Sequence, residues 1–300
     1  MLAIFISLII MGITSAQTPE YMELWNLRKS AFSEDHSSDT LYMMLNKMDS
    51  LYNGNPYFDD LIYFLEIALQ CNQFEKAKEI AFRLVRWKCW DTRIFDHSGL
   101  DILKTMDYWP ALDSLSQIYG NKGKYDEYIY WVDEMAITDQ HVRAALRNAQ
   151  TQTEKDSLRQ VVHQVDSINL NTLKKIISKY GFPTWEKLGI RYARRAWIIA
   201  QHADPEFLHM YMEQMKNAVI NDDEDISSLA FMIDRDLVNR KLPQLYGTQG
   251  YAYFTNDNKM ESGLWPIDDL EHLNDRREHM LLEPIDTTTV KIFDKEYILK

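Results

Sequence analysis

Apolar residues recur along most of this 300-residue chain with the spacing of an α-helix. In YFDDLIYFLEIALQCNQFEKAKEIAFRLV the pattern predicts two helices, Tyr57 to Gln70 and Phe74 to Val85, joined by a polar turn at Cys71, Asn72 and Gln73. Leu41 to Tyr52 supplies an earlier helix. Tyr125, Tyr128, Val132, Met135, Val142 and Leu146 form one long stripe, and Leu158, Val162, Val165, Leu173 and Ile176 form a second. Further helices are expected over Trp185 to Gln201, Pro205 to Val219 and Ile226 to Val238, with another near Asp268 to His279. After Pro243 the period shifts. Tyr251 and Tyr253 alternate ahead of an Asn-Asp-Asn turn, which predicts a β-hairpin. The final TVKIFDKEYIL can pair as two short strands. The fold class expected is mainly α, with helical hairpins first, then an α-helical domain carrying a small β-hairpin near the C-terminus.

The opening MLAIFISLIIMGITSA is apolar from Leu2 to Ile13 and ends in small residues, the pattern of a signal peptide cut after Ala16. It lacks the usual basic residue after Met1, and it is too short for a permanent span. The expected segments are 1–16 as signal peptide, 17–123 as hairpins and 124–300 as the helical domain. The expected location is periplasmic or secreted, with no transmembrane anchor after cleavage. Ala68, Phe74, Ala77 and Ala81 place small and aromatic residues where paired helices approach closely, so the hairpin resembles a tetratricopeptide repeat, with Asn72 at the usual turn glycine. Such hairpins imply a docking surface for a protein partner.

Composition narrows the function classes. A hydrophobic share of 46% with 26% charged residues is that of a globular chain. The formal charge of −12 argues against nucleic acid or an anionic membrane surface as main partner. Between Asp139 and Ala200, however, basic residues outnumber acidic ones two to one. Cys71 and Cys89 form neither a CxxC nor a zinc spacing, and no glycine-rich phosphate loop, GxSxG or HExxH occurs. No cofactor and no metal are expected.

The candidate chemistry lies in polar residues placed where a core belongs. Asp139 interrupts the first long stripe, with Arg143 four residues on. Asp166 and Asn169 interrupt the second. Asp234 borders the seam of Ile226, Ala230, Ile233 and Leu237, and Asp204 extends the face of Ala193, Trp197 and Ala200. A carboxylate taken out of water costs several kcal/mol unless paired, so convergence on a shared polar pocket is expected. Each has a plainer reading. Asp204 precedes Pro205 and Glu206 and fits a helix N-cap. Asp166 or Asn169 can cap a helix restarting at Asn171, and Asp139 with Arg143 can be a structural ion pair. Gln201 and His202, just before Asp204, are required by neither helix.

The ordered set DQHVR, DSIN, YGFPT, LG, QHAD, DR and QLYGTQ resembles the bacterial domain of unknown function 6624, over about Tyr125 to Leu282. By matching motif, the resemblance implies recurrent polar positions at Asp139, Gln140, Arg143, Asp166, Asn169, Gln201, His202, Asp204, Asp234, Arg235, Gln244, Tyr246, Thr248, Gln249 and Arg277. The chain departs from the pattern at Phe182, where tryptophan is usual, at Lys241-Leu242 and at Leu281. The family brings no activity. Two functions from different classes remain. One is a site for a small polar or anionic ligand, hydrolytic in its simplest form, with His202 as acid or base oriented by Asp139 or Asp166 and the remaining positions as ligand contacts. The other is a non-catalytic interaction protein working through its hairpins.

Overall fold

The computed structural model describes residues 18–52, 58–86, 99–119, 123–221, 223–254 and 260–296. The proposed signal segment, the Asn-Asp-Asn turn and Cys89 lie outside them. The protein is mainly α, with a single two-stranded antiparallel sheet among the described residues. Packing divides it into two compact units, Asp35–Asp225, and the described parts of Met1–Glu34 with Ile226–Lys300. These units are defined by packing, whereas the segments expected above are defined by sequence character.

The unit Asp35–Asp225 begins with α2 (Ser38–Leu51), α3 (Phe58–Gln70), α4 (Phe74–Arg86) and α5 (Trp109–Tyr119), each packed on the next. The α3–α4 turn works because Asn72 adopts a left-handed conformation at φ 55, which asparagine tolerates better than most residues. Two long helices follow, α6 (Asp126–Asn148) and α7 (Gln152–Tyr180). Thr151 and Glu154 form a reciprocal capping box at the start of α7, and Gly181 ends it at φ 81. α7 is continuous through Asn171, so neither Asp166 nor Asn169 caps a restarted helix.

The helix expected over Trp185 to Gln201 is broken. A single turn, α8 (Trp185–Leu188), gives way to α9 (Ile190–Ala200) at Gly189, which sits at φ 75 and ψ 157. That conformation is open essentially to glycine alone, so one residue serves as end of α8 and start of α9. α9 packs its Ala193, Ala196 and Ala200 face inward, against α6 and α7. Alanines permit this close approach. α10 (Pro205–Ile220) completes the unit, and its core includes Tyr128, Val132, Leu173, Leu208, Tyr211 and Met215.

The second unit contains α1 (Pro19–Ser33), α11 (Ile226–Asn239), strands β1 (Gly250–Phe254) and β2 (Met260–Leu264), and α12 (Leu273–His279). Thr18 caps α1 and hydrogen-bonds Glu278, while the Tyr21 hydroxyl donates to the Leu282 carbonyl at 2.5 Å. Gly250 pairs with Leu264 and Phe254 with Met260. Of the two C-terminal strands expected, the described residues show one bridge, Ile292 to Leu264.

Candidate functional site

Polar side chains gather at one place in each unit. In Asp35–Asp225 the frame is the antiparallel pair α6 and α7. Asn169 Nδ2 donates to the Met135 carbonyl at 3.2 Å, and the Tyr128 hydroxyl donates to that of Gly181 at 3.3 Å. One turn beyond the Met135–Asn169 tie, Asp139 is 1% exposed. Its carboxylate accepts from Arg143 Nε at 2.9 Å and from Gln140 Nε2 at 2.7 Å. Arg143 then turns to α7, where its Nη2 donates to Asp166 Oδ1 at 2.5 Å. One guanidinium thus bridges a fully buried carboxylate and a part-exposed one. The side chains of Arg143 and Asp166 each keep 20% of their surface in water. Burial pushes the Asp166 carboxyl above its usual range; Arg143 pulls it back, Asp139 pushes it further up and His163 lowers it.

The QHAD stretch closes α9. His202 and Ala203 donate their amides to the carbonyls of Ile199 and Ala200, a tightened last turn, and both Gln201 and His202 are half-buried. Asp204 then starts α10 as its N-cap: Oδ1 accepts from the Phe207 amide at 2.8 Å and Oδ2 from Lys174 Nζ at 2.9 Å. Lys174 first, and the Phe207 amide second, hold the Asp204 carboxyl below its usual range. Lys174 lies eight residues beyond Asp166 on α7, about 12 Å along the helix. Asp204 is therefore part-exposed and satisfied by Lys174 and a helix end, separately from the Arg143 bridge.

In the other unit Asp234, on α11, is 0% exposed. It accepts from the amides of Leu245 at 2.7 Å, Tyr246 at 3.1 Å and Thr248 at 3.0 Å, and from the Thr248 hydroxyl at 2.9 Å. Burial raises its pKa, and these donors oppose the rise. Gln244, equally buried, accepts from the Gln249 amide at 2.8 Å and donates to the carbonyls of Trp265 and Gln249. Gln249 Nε2 donates to Thr248 Oγ1 and to the Phe231 carbonyl. Arg277 donates to the carbonyls of Tyr246 and Glu283. Arg276, which sequence reasoning passed over, donates to those of Leu245, Asp268 and Asp269. Arg235 is half-buried on α11. Asp234, Gln244, Arg276 and Arg277 hold the backbone of 244–249.

The pocket expected to gather four carboxylates is therefore resolved into separate solutions. Asp139 and Asp166 share Arg143, Asp204 has Lys174, and Asp234 has its loop. Sequence reasoning also missed Tyr211 and Glu224, both buried. Glu224 lies in NDDED, which reads as a solvated acidic turn and carries no signal of burial. Among the described residues no group of three or more His, Cys, Asp or Glu is placed to hold a metal ion, and no helix is long and apolar enough to cross a membrane.

These features define a mainly α protein in which Asp139 and Asp234 are buried against arginine or backbone amides, while Asp166 and Asp204 stay part-exposed beside arginine and lysine. It belongs to the family of unknown function DUF6624, whose model matches residues 130–300. No curated protein and no solved structure matches the chain.

Proposed function

We propose that the unit Asp35–Asp225 binds a small polar or anionic ligand beside Arg143, with hydrolysis as the reaction class and His202 as the acid–base group. The observation that carries this reading is the bridge itself. Arg143 is held by a fully buried Asp139, yet it and Asp166 stay partly open to water. A ligand anion can compete for the Nη2 donor now given to Asp166, while Asp139 keeps the guanidinium in place. Release of Asp166 leaves a carboxyl that burial has already raised above its usual range, which favours its holding a proton. The basic surplus between Asp139 and Ala200 favours an anion here. Gln140 supports Asp139, and Asn169 chiefly fixes the α6–α7 register.

We also propose export, from the apolar run Leu2 to Ile13, with a mature terminus at Gln17; N-terminal sequencing of fractionated protein tests it. The ligand reading is tested by a thermal-shift screen of small anions, sugars and peptides, repeated on Arg143→Lys. Lysine keeps the charge but loses the forked geometry. A hit whose shift vanishes in the variant supports the site. Hits bound equally by both proteins place binding elsewhere, and the helical hairpins then become the functional surface.

A further inference from the structure

α7 carries two apolar stripes. Val162, Asn169, Leu173 and Ile176 make the inner one, and all four are buried. Leu158, Val161, Val165 and Ile168 make a second, spaced by three, four and three residues, the seam along which helices pair with helices. This stripe stays in water: Val161 is 37% exposed and Ile168 is 64% exposed, while Leu158 and Val165 are half-buried. Ion pairs fix the direction in which it faces. Asp133 of α6 pairs with Arg195 of α9, and Lys174 of α7 pairs with Asp204 just past the end of α9, so these residues mark the side of the α6–α7 hairpin on which α9 lies. Glu127 of α6 and Lys179 of α7 pair across the opposite side. With about 3.6 residues per turn, Val161 and Ile168 point the same way as Lys179, and Trp131 and Thr138 the same way as Glu127. Trp131 is 40% exposed. The back of the hairpin is thus an apolar face built by both helices.

That face is also nearly free of charge. In a chain of formal charge −12, the only titratable residues of α7 between Arg159 and Lys174 are His163 and Asp166, and Asp166 is turned to Arg143. The charges beside the face lie at one end, with Glu127 and Glu134 along the edge of α6 and Lys175 and Lys179 along the edge of α7. We propose that the back of the α6–α7 hairpin docks a second copy of the chain, hairpin on hairpin, about a two-fold axis parallel to the helices. This operation lays α6 of each copy on α7 of the other, a four-helix packing with a self-complementary interface. It also sets the acidic edge of each copy against the basic edge of the other. An acidic chain repels its own copies over most of its surface and meets them best where the face is neutral and the edges are opposite in sign. From Glu127 to Asn148 and Ser157 to Lys179 the face is roughly 33 Å long and 20 Å wide. Two copies would bury about 1,300 Å² together, near the lower end of the range for a specific interface.

The inference stands apart from the Arg143 reading, because Asp166 and the back stripe point to different sides of α7. Sedimentation velocity on the full chain, from about 1 to 200 μM, is the test, and wild type should pass from monomer to dimer mass across that span. Ile168→Glu puts a charge on the face at an exposed position, where folding is little affected. It should raise the dimer Kd at least about tenfold with an unchanged circular dichroism spectrum. Val161→Glu is the second probe should the first fold poorly. Glu134→Lys should weaken the dimer, and adding Lys175→Glu should restore it. Wild type that stays monomeric throughout overturns the proposal and leaves the face to a different protein. A dimer that the folded Ile168→Glu or Val161→Glu variant leaves intact overturns it by placing the contact elsewhere. Failure of the paired exchange to recover the dimer overturns the two-fold arrangement.

Discussion

The two polar clusters of this protein use the same residue types for opposite ends. Around Asp234 nearly every side-chain hydrogen bond goes to backbone: three amides reach Asp234, and the carbonyls of residues 242, 245, 246, 249, 265, 268, 269 and 283 take Gln244, Trp265, Arg276 and Arg277. Around Arg143 the bonds run from side chain to side chain, and part of the set stays wet. Backbone amides cannot leave without unmaking the loop. A guanidinium can exchange one carboxylate for another anion at little cost in structure. Burial and charge are thus insufficient to mark a ligand site; the nature of the partner decides.

The contrast is broken most severely at Asp234. Asp234→Ala strands four buried donors and should cost about 3–5 kcal/mol in chemical denaturation, with Asp234→Asn losing less because one acceptor oxygen remains. A loss under about 1 kcal/mol would show that residues 245–248 are held by something else.

The next effect is a pH slope from the unit Asp35–Asp225. Folding raises the Glu224 carboxyl from 4.5 to about 8, through burial first and then Asp225 and Asp223, against the Asp225 amide and the Trp185 indole. The folded state therefore holds a proton that the unfolded chain gives up. Stability from this group is full below about pH 4.5 and is lost as pH rises through about 8, on the order of a few kcal/mol in total. Melting curves from pH 5 to 9 should fall in wild type and flatten in Glu224→Gln. Asp166, also raised by burial, adds to the same slope and remains in that variant. Equal slopes in the two proteins would remove Glu224 from the account.

Arg143→Ala should cost about 1–3 kcal/mol, less than the Asp234 change, because Asp166 can turn to water and Asp139 keeps Gln140 as a donor. Equilibrium unfolding checks it, and a larger loss would make the bridge a structural clamp like the Asp234 set. His202→Gln should be smallest, within roughly 0.5 kcal/mol. It should nonetheless weaken binding of an anion found in the screen and remove its pH dependence between about 5 and 8. Binding by titration calorimetry that is identical in both proteins would take His202 out of the site.

Much of this was legible from spacing. The stripes of α6 and α7, the α3–α4 hairpin and the Asp204-Pro205-Glu206 cap all rest on neighbours within one or two turns, which sequence order displays. Arg143 was legible beside Asp139 for the same reason. The role of Asp234 was not, because its partners are backbone amides 11 to 14 residues away and an amide leaves no signature in side-chain type. Glu224 was hidden by acidic neighbours that normally signal solvent. The break in the helix expected over Trp185 to Gln201 could be anticipated only by weighting Gly189 above the apolar period around it.

Gly189 also bears on where the QHAD end of α9 points. α9 starts at that residue and packs along α6 and α7, and His202 lies 13 residues further on, roughly 20 Å along the axis. A rotation of about 10° at the root would swing the far end by roughly 3 Å, the difference between a hydrogen bond and none. The aim of QHAD is therefore set partly at the opposite end of its helix, by a position with no side chain at all, together with the packing of α9 on α6 and α7.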